Sequence, residues 1–456
     1  MTPLNALPLT DGRYVVPGNR WDLLDRQPLR RSATVAVVVP FYDQQAELNL
    51  VLAALGSQDY PHELIDVVVC DDGSPQPPDV SAASLRCSVV SQRDKGFRAA
   101  AARNLGVRHT DAEVLCFLDA DTVPEPHYLS ALVRLPSLLP DALVVGRRRH
   151  ADLTGWTPDQ LPQWWSGRHG PRILDEPRWL SDAYERSHNL LDVDHRSYRY
   201  VISSVMCCSR ELFDYCGGFD ESFDQYGGED WEFAHRALTC GAVLHHARDA
   251  VAWHNGADWA GRDVIRRTAA KNAEALAVSR LVPDPEARAH GLRYDIPEVA
   301  VEIDAADHGP GSLVRTAACF LGQDVGLFVS GAGADSLLRA LRTDDPRIRI
   351  GPAPDAVRRR CRVVITLAGR PVLPRDAVAE IVTAASAAGV ASVEVHHDEA
   401  SLLCRASWAT HRVQRWSSGP IRFRDVRETS EIGETYTHRG HDFDMDVVSP
   451  DAPLAW

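Results

Sequence analysis

Residues 113–121 read Glu-Val-Leu-Cys-Phe-Leu-Asp-Ala-Asp, an apolar run that ends in two carboxylates separated by one small residue. A run of this kind is typical of a strand buried on both faces of a sheet. Asp119 and Asp121 would repel each other unless a cation lay between them. Mg²⁺ and Mn²⁺ prefer oxygen ligands and often share them with substrate phosphates. An Asx turn with a helix cap would explain the same residues without a metal.

Similar apolar runs precede this one, at residues 34–39, 64–70 and 88–90. Segments with helical spacing or composition separate them, at residues 47–55 and 97–107. This alternation predicts an α/β fold with a doubly wound, mostly parallel sheet. Ligands bind such sheets at the carboxyl ends of the strands. The polar sequences of this region fall there: Pro40-Phe-Tyr-Asp43, Asp71-Asp-Gly-Ser74 and Asp119-Ala-Asp121.

The composition excludes several classes of protein. The chain has 456 residues, which suggests two or three domains, and its net charge of −14 argues against a nucleic-acid partner. Its longest apolar runs are too short to span a bilayer, and its first residues do not resemble a signal peptide. We therefore expect a cytoplasmic protein. The arginine clusters at 147–149 and 358–360 could face phosphates, acidic lipids or only solvent.

The chain divides into segments of different character. Residues 1–32 suggest an N-terminal arm, residues 33–282 a first domain, and residues 290–456 a second, smaller α/β domain. In the first domain, residues from about 150 to 200 form an irregular insert rich in tryptophan, and strands are expected at 201–209, 242–244 and 251–253. In the second, strands are expected at 325–329 and 362–366, helices at 376–387 and 402–414, and a polar, turn-rich tail from residue 422.

Taken alone, each polar motif has a structural explanation. Asp72 could bind a base or ribose, or it could cap the turn after its strand. Tyr42 could stack on a base, or it could pack against the fold. A lone histidine such as His254 is more often a satisfied core residue than a ligand. Glu229 and Asp230 would be favourable at a helix N-terminus for electrostatic reasons alone.

Six motifs in order resemble the family 2 glycosyltransferases with the GT-A fold. They are VVVPFYD (37–43), CDDGS (70–74), KGFRAAAARN (95–104), FLDAD (117–121), FDQYGGEDWE (223–232) and WHN (253–255). The resemblance covers roughly residues 34 to 260. It implies an enzyme that moves a sugar from a nucleotide-sugar donor to a hydroxyl group.

The resemblance implies roles for the donor-binding residues. Pro40 and Tyr42 would line the base pocket, and Asp72 would hydrogen-bond the base. Arg103 and Asn104 would lie near the sugar and the metal-binding aspartates. Asp119 would contact ribose or the metal, Asp121 would ligate Mn²⁺ or Mg²⁺, and His254 would complete the metal site, with His245 and His246 as substitutes.

The Gly-Gly-Glu-Asp segment at 227–230 is implied to hold the reacting groups. Gly228 would allow the backbone to approach the sugar. Asp230 would be the general base for one inverting displacement, and Glu229 would orient the acceptor or the donor sugar. Trp231 would form an apolar platform for a sugar ring, or belong to the core.

With an aromatic residue before Gly-Gly-Glu-Asp, the chain resembles the galactosyl- and N-acetylgalactosaminyl-transferring members of the family and the chondroitin-polymerase-like members. This resemblance implies UDP-galactose, UDP-GalNAc or UDP-GlcNAc as donor, and a saccharide, glycolipid or small-molecule acceptor. Trp164 and Trp165, in the tryptophan-rich insert, are candidates for the acceptor wall, and packing in the core is their alternative.

The second domain resembles a degenerate copy of the first. Residues 362–370 occupy the place of the strand that delivers Asp-x-Asp, but no such pair appears there. This domain could serve dimerisation, acceptor docking or contact with the inner membrane surface. A catalytically inactive sugar-binding scaffold and a nucleotidyltransferase are the alternative functions for the whole chain.

Overall fold

The computed structural model describes residues 5–257, 264–418 and 432–454, with residues 264–267, 270 and 418 described by their backbone only. The chain forms two compact units. The first contains Met1–Val193, Ser197–Ala237 and Ala242–Val278, and the second contains Asp194–Arg196, Leu238–Gly241 and Ser279–Trp456.

The chain up to residue 281 forms eleven strands and eight α-helices among its described residues. In chain order they are β1 (Leu7–Pro8), β2 (Tyr14–Val15), β3 (Val35–Phe41), α1 (Gln45–Leu55), β4 (Ile65–Asp71), β5 (Arg86–Ser91), α2 (Ala99–Val107), β6 (Val114–Leu118), β7 (Thr122–Pro124), α3 (Tyr128–Leu138), β8 (Ala142–Asp152), α4 (Leu161–Trp165), β9 (Arg172–Leu174), α5 (Arg178–Arg186), β10 (Val205–Ser209), α6 (Arg210–Cys216), α7 (Glu229–Thr239), β11 (Val243–Asn255) and α8 (Val264–Leu281).

The main sheet of the first unit has the order β5-β4-β3-β6-β10-β8-β11-β7, with β9 paired to β8. Strands β5, β4, β3 and β6 are mutually parallel, and β11 is parallel to β8. The centre of the sheet is buried because β3 and β6 consist almost entirely of apolar residues that lie between helices. The predicted α/β class with a GT-A-type sheet is confirmed.

The register of the parallel strands brings the polar motifs to one edge of the sheet. Phe41 pairs with Asp71, so the loops after β3 and β4 leave the sheet at the same level. Asp43 donates its backbone N–H to Ser74 Oγ at 3.0 Å and ties these two loops together. Asp119 directly follows β6, the other neighbour of β3. The expected convergence at the carboxyl ends is therefore present.

Two features of β11 and β8 differ from the sequence expectation. Residues 243–255 form one strand instead of two, with an irregularity between Ala247 and Val251. The exposed Arg248 and Asp249 occupy this irregularity, and their polarity breaks the apolar pattern that would have identified a single strand. Strand β8 also runs on to Asp152, because Arg147 and Arg149 lie within it and form ion pairs with Glu176. Extended structure begins at Val205 instead of residue 201.

Residues 5–32 of the first unit contain the β1–β2 hairpin and a 3-10 helix at Trp21–Leu24. Asn19 anchors this segment, because its side chain donates to the carbonyl groups of Leu190 and Leu244 and accepts from Leu244 N. The segment contacts Leu190, the last of three consecutive residues with φ between 50° and 63°.

The chain from residue 299 forms the remaining elements. They are β12 (Val299–Asp304), α9 (Pro310–Phe320), β13 (Val325–Ser330), α10 (Ala334–Leu341), β14 (Ile348–Ile350), α11 (Asp355–Arg358), β15 (Val363–Ala368), β16 (Pro371–Val372), α12 (Arg375–Ala385), β17 (Val390–His397), β18 (Ala400–Ala406), α13 (Ser407–Ser418), β19 (Glu434–Arg439) and β20 (Asp446–Val447). The second sheet has the order β14-β13-β12-β15-β18-β17-β19.

The helix predicted at 402–414 is wrong in its first part. Residues 400–406 form β18, where buried and half-buried side chains alternate, and the helix begins only at Ser407. The tail predicted to be turn-rich contains β19, a polar strand at the edge of the sheet, and residues 422–431 of that tail lie outside the described residues.

Candidate functional site

Asp72 lies just after β4 and is held by two donors from the neighbouring loop. Its Oδ1 accepts from Gln92 Nε2 at 2.6 Å, and its Oδ2 accepts from Arg98 N at 2.7 Å. The side chain is buried, with 7% of the residue exposed. Asp72 is thus fixed at the predicted edge, and the loop of residues 92–98 is folded around it.

The loop after β3 places one aromatic ring at the surface. Pro40 lies within β3, one residue before the strand ends, and is half-buried. Tyr42 is 47% exposed, which leaves its ring accessible for stacking. Asp43 has φ of 48°, and this left-handed turn reverses the chain before α1.

Arg103 is a buried cation between two carboxylates. Its Nη2 lies 2.8 Å from Asp119 Oδ1 and its Nη1 lies 2.9 Å from Glu229 Oε1, while only 3% of its side chain is exposed. Burial would lower the pKa of Arg103, but the charges of Asp119 and Glu229 outweigh it and raise that pKa. The guanidinium therefore joins the end of β6 to the start of α7.

Asn104, the neighbour of Arg103 in α2, points at a different part of the chain. Its Nδ2 donates to Phe219 O at 2.9 Å and to Glu221 Oε1 at 3.0 Å, and its Oδ1 accepts from Phe219 N at 2.9 Å. The amide thus fixes the loop that follows α6. Its contacts in the structure are with this loop and not with the aspartates.

Asp121 and His254 meet because β7 pairs with β11. Thr122 lies opposite His254 in this pairing, and Asn255 donates its N–H to Asp121 O at 2.9 Å. His254 Nδ1 lies 3.2 Å from Asp121 Oδ1. Burial would raise the pKa of Asp121, but the hydrogen bond and charge of His254 lower it overall. Both side chains keep 20–25% of their surface exposed, so a ligand can reach them.

The donor set at this position fits a metal shared with a substrate. An acidic oxygen and an imidazole nitrogen are both ordinary metal ligands. Asp119 is engaged with Arg103 instead, and among the described residues no group of three or more His, Cys, Asp or Glu side chains could hold an ion. The remaining positions would be taken by phosphate oxygens and water, as Mg²⁺ and Mn²⁺ allow.

Two glycines shape the chain before α7. Gly227 and Gly228 have φ of 90° and 94°, a region that side chains with a Cβ rarely adopt. A Cβ on Gly228 would lie 2.8 Å from Val278 Cγ2 and 2.9 Å from Phe223 Cε1. The glycines therefore allow a close approach at this point and set the direction in which Glu229 and Asp230 enter the helix.

Asp230 is a carboxylate with weak support from its surroundings. It accepts from Trp231 N at 2.8 Å and from Ser203 N at 3.5 Å. Burial and the adjacent charge of Glu229 raise its pKa to about 7, against the opposing effect of Arg103. Glu229 is ion-paired with Arg103, whereas Asp230 has no ion pair in the described part of the chain. A carboxylate with this pKa can accept a proton near neutral pH.

The insert contributes an aromatic cluster, defined by Trp156, Trp164, Trp165, His169 and Trp253. Trp164 and Trp165 are stacked at 4.5 Å, and Trp164 lies 5.3 Å from Trp253, the residue before His254. Except for Trp253, the tryptophans are half-buried, so their rings keep surface that is open to solvent. The cluster therefore packs against β11 at Trp253 and keeps indole surface open to solvent.

The other predicted residues are less informative. Trp231 is half-buried and contacts Tyr198 edge-on at 6.5 Å, with Arg199 Cζ 5.5 Å from its ring. His245 and His246 are not near Asp121: His245 lies against Trp21 and His246 stacks on Tyr184 at 3.6 Å. Burial lowers the pKa of each to about 3.

The motifs did not single out Gln92. It follows β5, at the same sheet edge as Asp72, and fixes that carboxylate. A polar residue after the third predicted strand carries the same signal that identified the other motifs, so it could have been found. Ser203 could not, since its contact with Asp230 comes from its backbone.

Comparison with known proteins confirms the resemblance. Residues 36–190 match the model of glycosyl transferase family 2, and residues 187–249 match that of the N-terminal domain of galactosyltransferase. Together these ranges contain Pro40, Asp72, Asp121 and Asp230. They end before His254.

Individual relatives match in the same region. The chondroitin synthase of Pasteurella multocida (strain Pm70) is 28% identical over 258 residues, which are 52% of this chain and 26% of that protein. The validoxylamine A glucosyltransferase of Streptomyces hygroscopicus subsp. limoneus is 31% identical over 232 residues, 47% of this chain and 50% of that protein. This chain thus spans half or less of the length of these two relatives.

A solved structure, the mannosyltransferase PcManGT from Pyrobaculum calidifontis in complex with GDP-Man and Mn²⁺, is 19% identical with a TM-score of 0.38 and covers 59% of this chain and 72% of its own. No helix among the described residues is long and apolar enough to cross a bilayer.

Proposed function

We propose that the family 2 glycosyltransferase domain in the first unit transfers a sugar from a UDP-sugar to a hydroxyl group, with inversion at the anomeric carbon. The observation that carries this proposal is the state of Asp230. It is a carboxylate with a pKa raised to about 7, at the start of a helix that a buried ion pair ties to the sheet edge. These are the properties of a general base.

The division of labour between the two acidic residues follows from their partners. Arg103 neutralises Glu229 and holds it in place, so Glu229 is suited to orienting a substrate hydroxyl. Asp230 has no ion pair in the described residues and is free to accept the proton of the acceptor hydroxyl. As the proton leaves, the acceptor oxygen attacks the anomeric carbon from the face opposite the diphosphate, which departs with the bonding electrons. One displacement of this kind inverts the configuration.

The donor would lie across the carboxyl ends of β3, β4 and β6. Tyr42 offers an exposed ring for stacking on uracil, and Asp72 offers a carboxylate whose position is fixed by Gln92. Since a carboxylate has about four lone-pair sites, Asp72 can accept a further hydrogen bond from a base. Pro40 and Gly228 would line the same cavity.

Asp121 and His254 would hold the divalent ion, Mn²⁺ or Mg²⁺. When bound there, the ion would neutralise charge on the departing diphosphate. Asp119 would then face the ribose, held by Arg103. We propose galactose, N-acetylgalactosamine or N-acetylglucosamine as the sugar, from the aromatic Tyr226 before Gly-Gly-Glu-Asp.

The acceptor would lie on the aromatic cluster. Indole rings stack on the apolar faces of sugar rings, and the half-buried tryptophans of this cluster keep surface that is open to solvent. Trp231 would close the other side of the cleft. A saccharide, a glycolipid headgroup or a glycosylated small molecule has the matching chemistry.

The test is release of UDP from each UDP-sugar in the presence and absence of Mn²⁺, with a pool of saccharide acceptors and mass spectrometry of the products. We expect metal-dependent release of UDP and an acceptor whose mass has increased by one sugar. Asp121→Ala and Asp230→Asn should each abolish transfer. Full activity in both variants would overturn the mechanism, and pyrophosphate release from a nucleoside triphosphate would indicate a nucleotidyltransferase.

A further inference from the structure

The two sheets share one strand order. The main sheet of the first unit runs β5-β4-β3-β6-β10-β8-β11, and the sheet of the second unit runs β14-β13-β12-β15-β18-β17-β19. When the short strands β7, β9 and β16 are omitted, the strands of each sheet can be numbered from one to seven in chain order. Both sheets then have the strand order 3-2-1-4-6-5-7. The sequence of parallel and antiparallel pairs is also the same.

The match between the two units extends to the short strand that follows the fourth strand of each sheet, which is β7 in the first unit and β16 in the second. In the first unit, β7 pairs antiparallel with the end of β11, and Asn255 N donates to Asp121 O at 2.9 Å. In the second unit, β16 pairs antiparallel with β20, and Val448 N donates to Arg370 O at 3.2 Å. The same backbone hydrogen bond thus marks equivalent positions in the two units.

This equivalence shows what stands at the two metal-ligand positions. Arg370 occupies the position of Asp121. Thr122 pairs with His254, and its counterpart Pro371 pairs with Val447, so Val447 occupies the position of His254. An acidic residue and a histidine are replaced by a cation and an aliphatic side chain.

The donor-binding positions differ as well. Val35 pairs with Ile65 at the start of β3, and Val299 pairs with Val325 at the start of β12. Asp72 lies seven residues after Ile65, and the residue seven positions after Val325 is Ala332. Ala332 therefore occupies the position of Asp72. Counting back from Arg370 places Ala368 at the position of Asp119. Neither alanine can hydrogen-bond a ribose or a base through its side chain.

The acceptor and base elements of the first unit have no counterpart in the second. Where the first unit places the tryptophan-rich insert between β8 and β10, the second has a tight hairpin in which His397 pairs with Ala400. The sequence between β18 and β19 contains no Gly-Gly-Glu-Asp.

Arg370 closes the edge that a metal would otherwise occupy. Its Nε donates to Val448 O at 2.7 Å, and its Nη1 donates to Asp307 O at 3.1 Å. A carboxylate at this position needs a cation beside it, whereas arginine brings a fixed positive charge and satisfies carbonyl groups directly. The second unit therefore completes this edge without an ion.

We propose that the second unit is a second copy of the glycosyltransferase fold in which Arg370 takes the place of the metal, so that the chain has one nucleotide-sugar site. This rests on the proposed function of the first unit. The second unit then contributes no donor binding and no second transfer, and the chain adds one kind of sugar.

The test is the stoichiometry of Mn²⁺ and UDP on the full chain, measured by electron paramagnetic resonance and equilibrium dialysis at saturating UDP. We expect one equivalent of Mn²⁺ and one equivalent of UDP per chain, and we expect both to be lost in Asp121→Ala. The matched variant Arg370→Ala should keep the equivalent and the transfer rate, and should lower the melting temperature by several degrees because two carbonyl groups lose their donor.

The outcomes separate the two proposals. Two equivalents in the unaltered chain would overturn the single-site inference while leaving the proposed function in place. One equivalent that survives Asp121→Ala would overturn the proposed metal site at Asp121, and with it the single-site inference that rests on that site. Loss of the equivalent in Arg370→Ala with a folded protein would also overturn it. Zero equivalents would overturn the proposed function, and this count of sites with it.

Discussion

Arg103 Nη1 lies 2.9 Å from Glu229 Oε1, and this bond links helix α2 to the first turn of α7 across 126 positions of sequence. The same guanidinium also binds Asp119. Because both groups of the Arg103–Glu229 pair are more than nine-tenths buried, neither can exchange its partner for water at low cost.

Arg103→Met should destabilise the chain by about 3–5 kcal/mol, because it leaves a buried carboxylate without its cation. Urea unfolding followed by tryptophan fluorescence measures this loss. Arg103→Met/Glu229→Gln should recover part of it, since the uncompensated charge is then removed. Arg108→Met, which breaks an exposed ion pair with Glu221, is the control and should change stability by less than about 0.5 kcal/mol. Equal effects of the two single substitutions would contradict the assignment.

Asp230→Asn should lower kcat/KM by about 10²–10⁴-fold, as loss of a general base does. In the unaltered chain, kcat/KM should rise with pH up to about 7 and then level off, because only the ionised carboxylate accepts a proton. The pH–rate profile checks this, and the exposed Asp224→Asn, on the same loop, is the control. A profile without an inflection between pH 6 and 8 would count against Asp230 as the base.

Asp230→Asn should stabilise the folded chain at high pH, although it lowers kcat/KM. The pKa of Asp230 is raised in the folded chain, so its ionisation removes stability as the pH rises from about 4 to about 7. Asp230→Asn should therefore raise the melting temperature at pH 8 and leave it nearly unchanged at pH 4. A melting temperature lowered at both pH values would mean that the loss of activity comes from misfolding.

His254→Ala should weaken the activation by Mn²⁺ about 10–100-fold in concentration, with partial recovery of activity at high Mn²⁺. The reason is that the ion would keep Asp121 and the diphosphate but lose one ligand. Titration of activity with Mn²⁺ after chelation measures the shift. His127→Ala removes a histidine paired with an aspartate at the surface, and it should leave the titration unchanged. An unchanged titration in His254→Ala would remove His254 from the metal site.

Trp164→Ala should raise the KM for the acceptor about three- to tenfold and leave the KM for the donor unchanged. An aromatic contact contributes about 0.5–1.5 kcal/mol, which corresponds to this range. Initial rates at varied acceptor concentration test it. Trp179→Ala, an exposed tryptophan outside the aromatic cluster, is the control. A change in the donor KM alone would assign the cluster to the donor.

His246 should make the chain sensitive to acid. Burial lowers its pKa to about 3, so the folded chain holds it neutral while the unfolded chain protonates it below about 6.5. The contribution of neutral His246 to the free energy of unfolding is complete above about pH 6.5. It is lost as the pH falls, by about 1.4 kcal/mol per pH unit. His246→Gln should flatten this part of the stability curve, as urea unfolding between pH 7 and 5 would show. A slope that stays the same would exclude His246 as its source.

The sheet edge could be predicted from sequence because parallel strands bring their carboxyl ends together. The apolar runs before Asp71 and Asp119 are enough to place both residues at that edge, whatever the loops between them do. The same logic placed Pro40 and Tyr42. It required no knowledge of contacts between side chains.

Other contacts of the site could not be predicted in this way. The Asp121–His254 contact depends on β7, a strand of three residues that has no periodicity to detect. The ion pairs of Arg103 depend on how α2 meets α7, which no pattern in the sequence indicates. Asn104 differs for a similar reason, since its amide satisfies a loop backbone that only the folded chain brings near.

Asp121 and His254 are 133 positions apart in the sequence. This separation has a consequence for the chain while it is being synthesised. A nascent chain that has emerged only as far as Asp121 contains one residue of the pair, and the pairing of β7 with β11 that brings His254 to it has yet to form. An ion bound as we propose would bind the finished fold and not its precursors, so its binding energy would add to the stability of the finished fold alone. Removal of the proposed ion should therefore lower the melting temperature of the folded chain, in addition to slowing the proposed transfer.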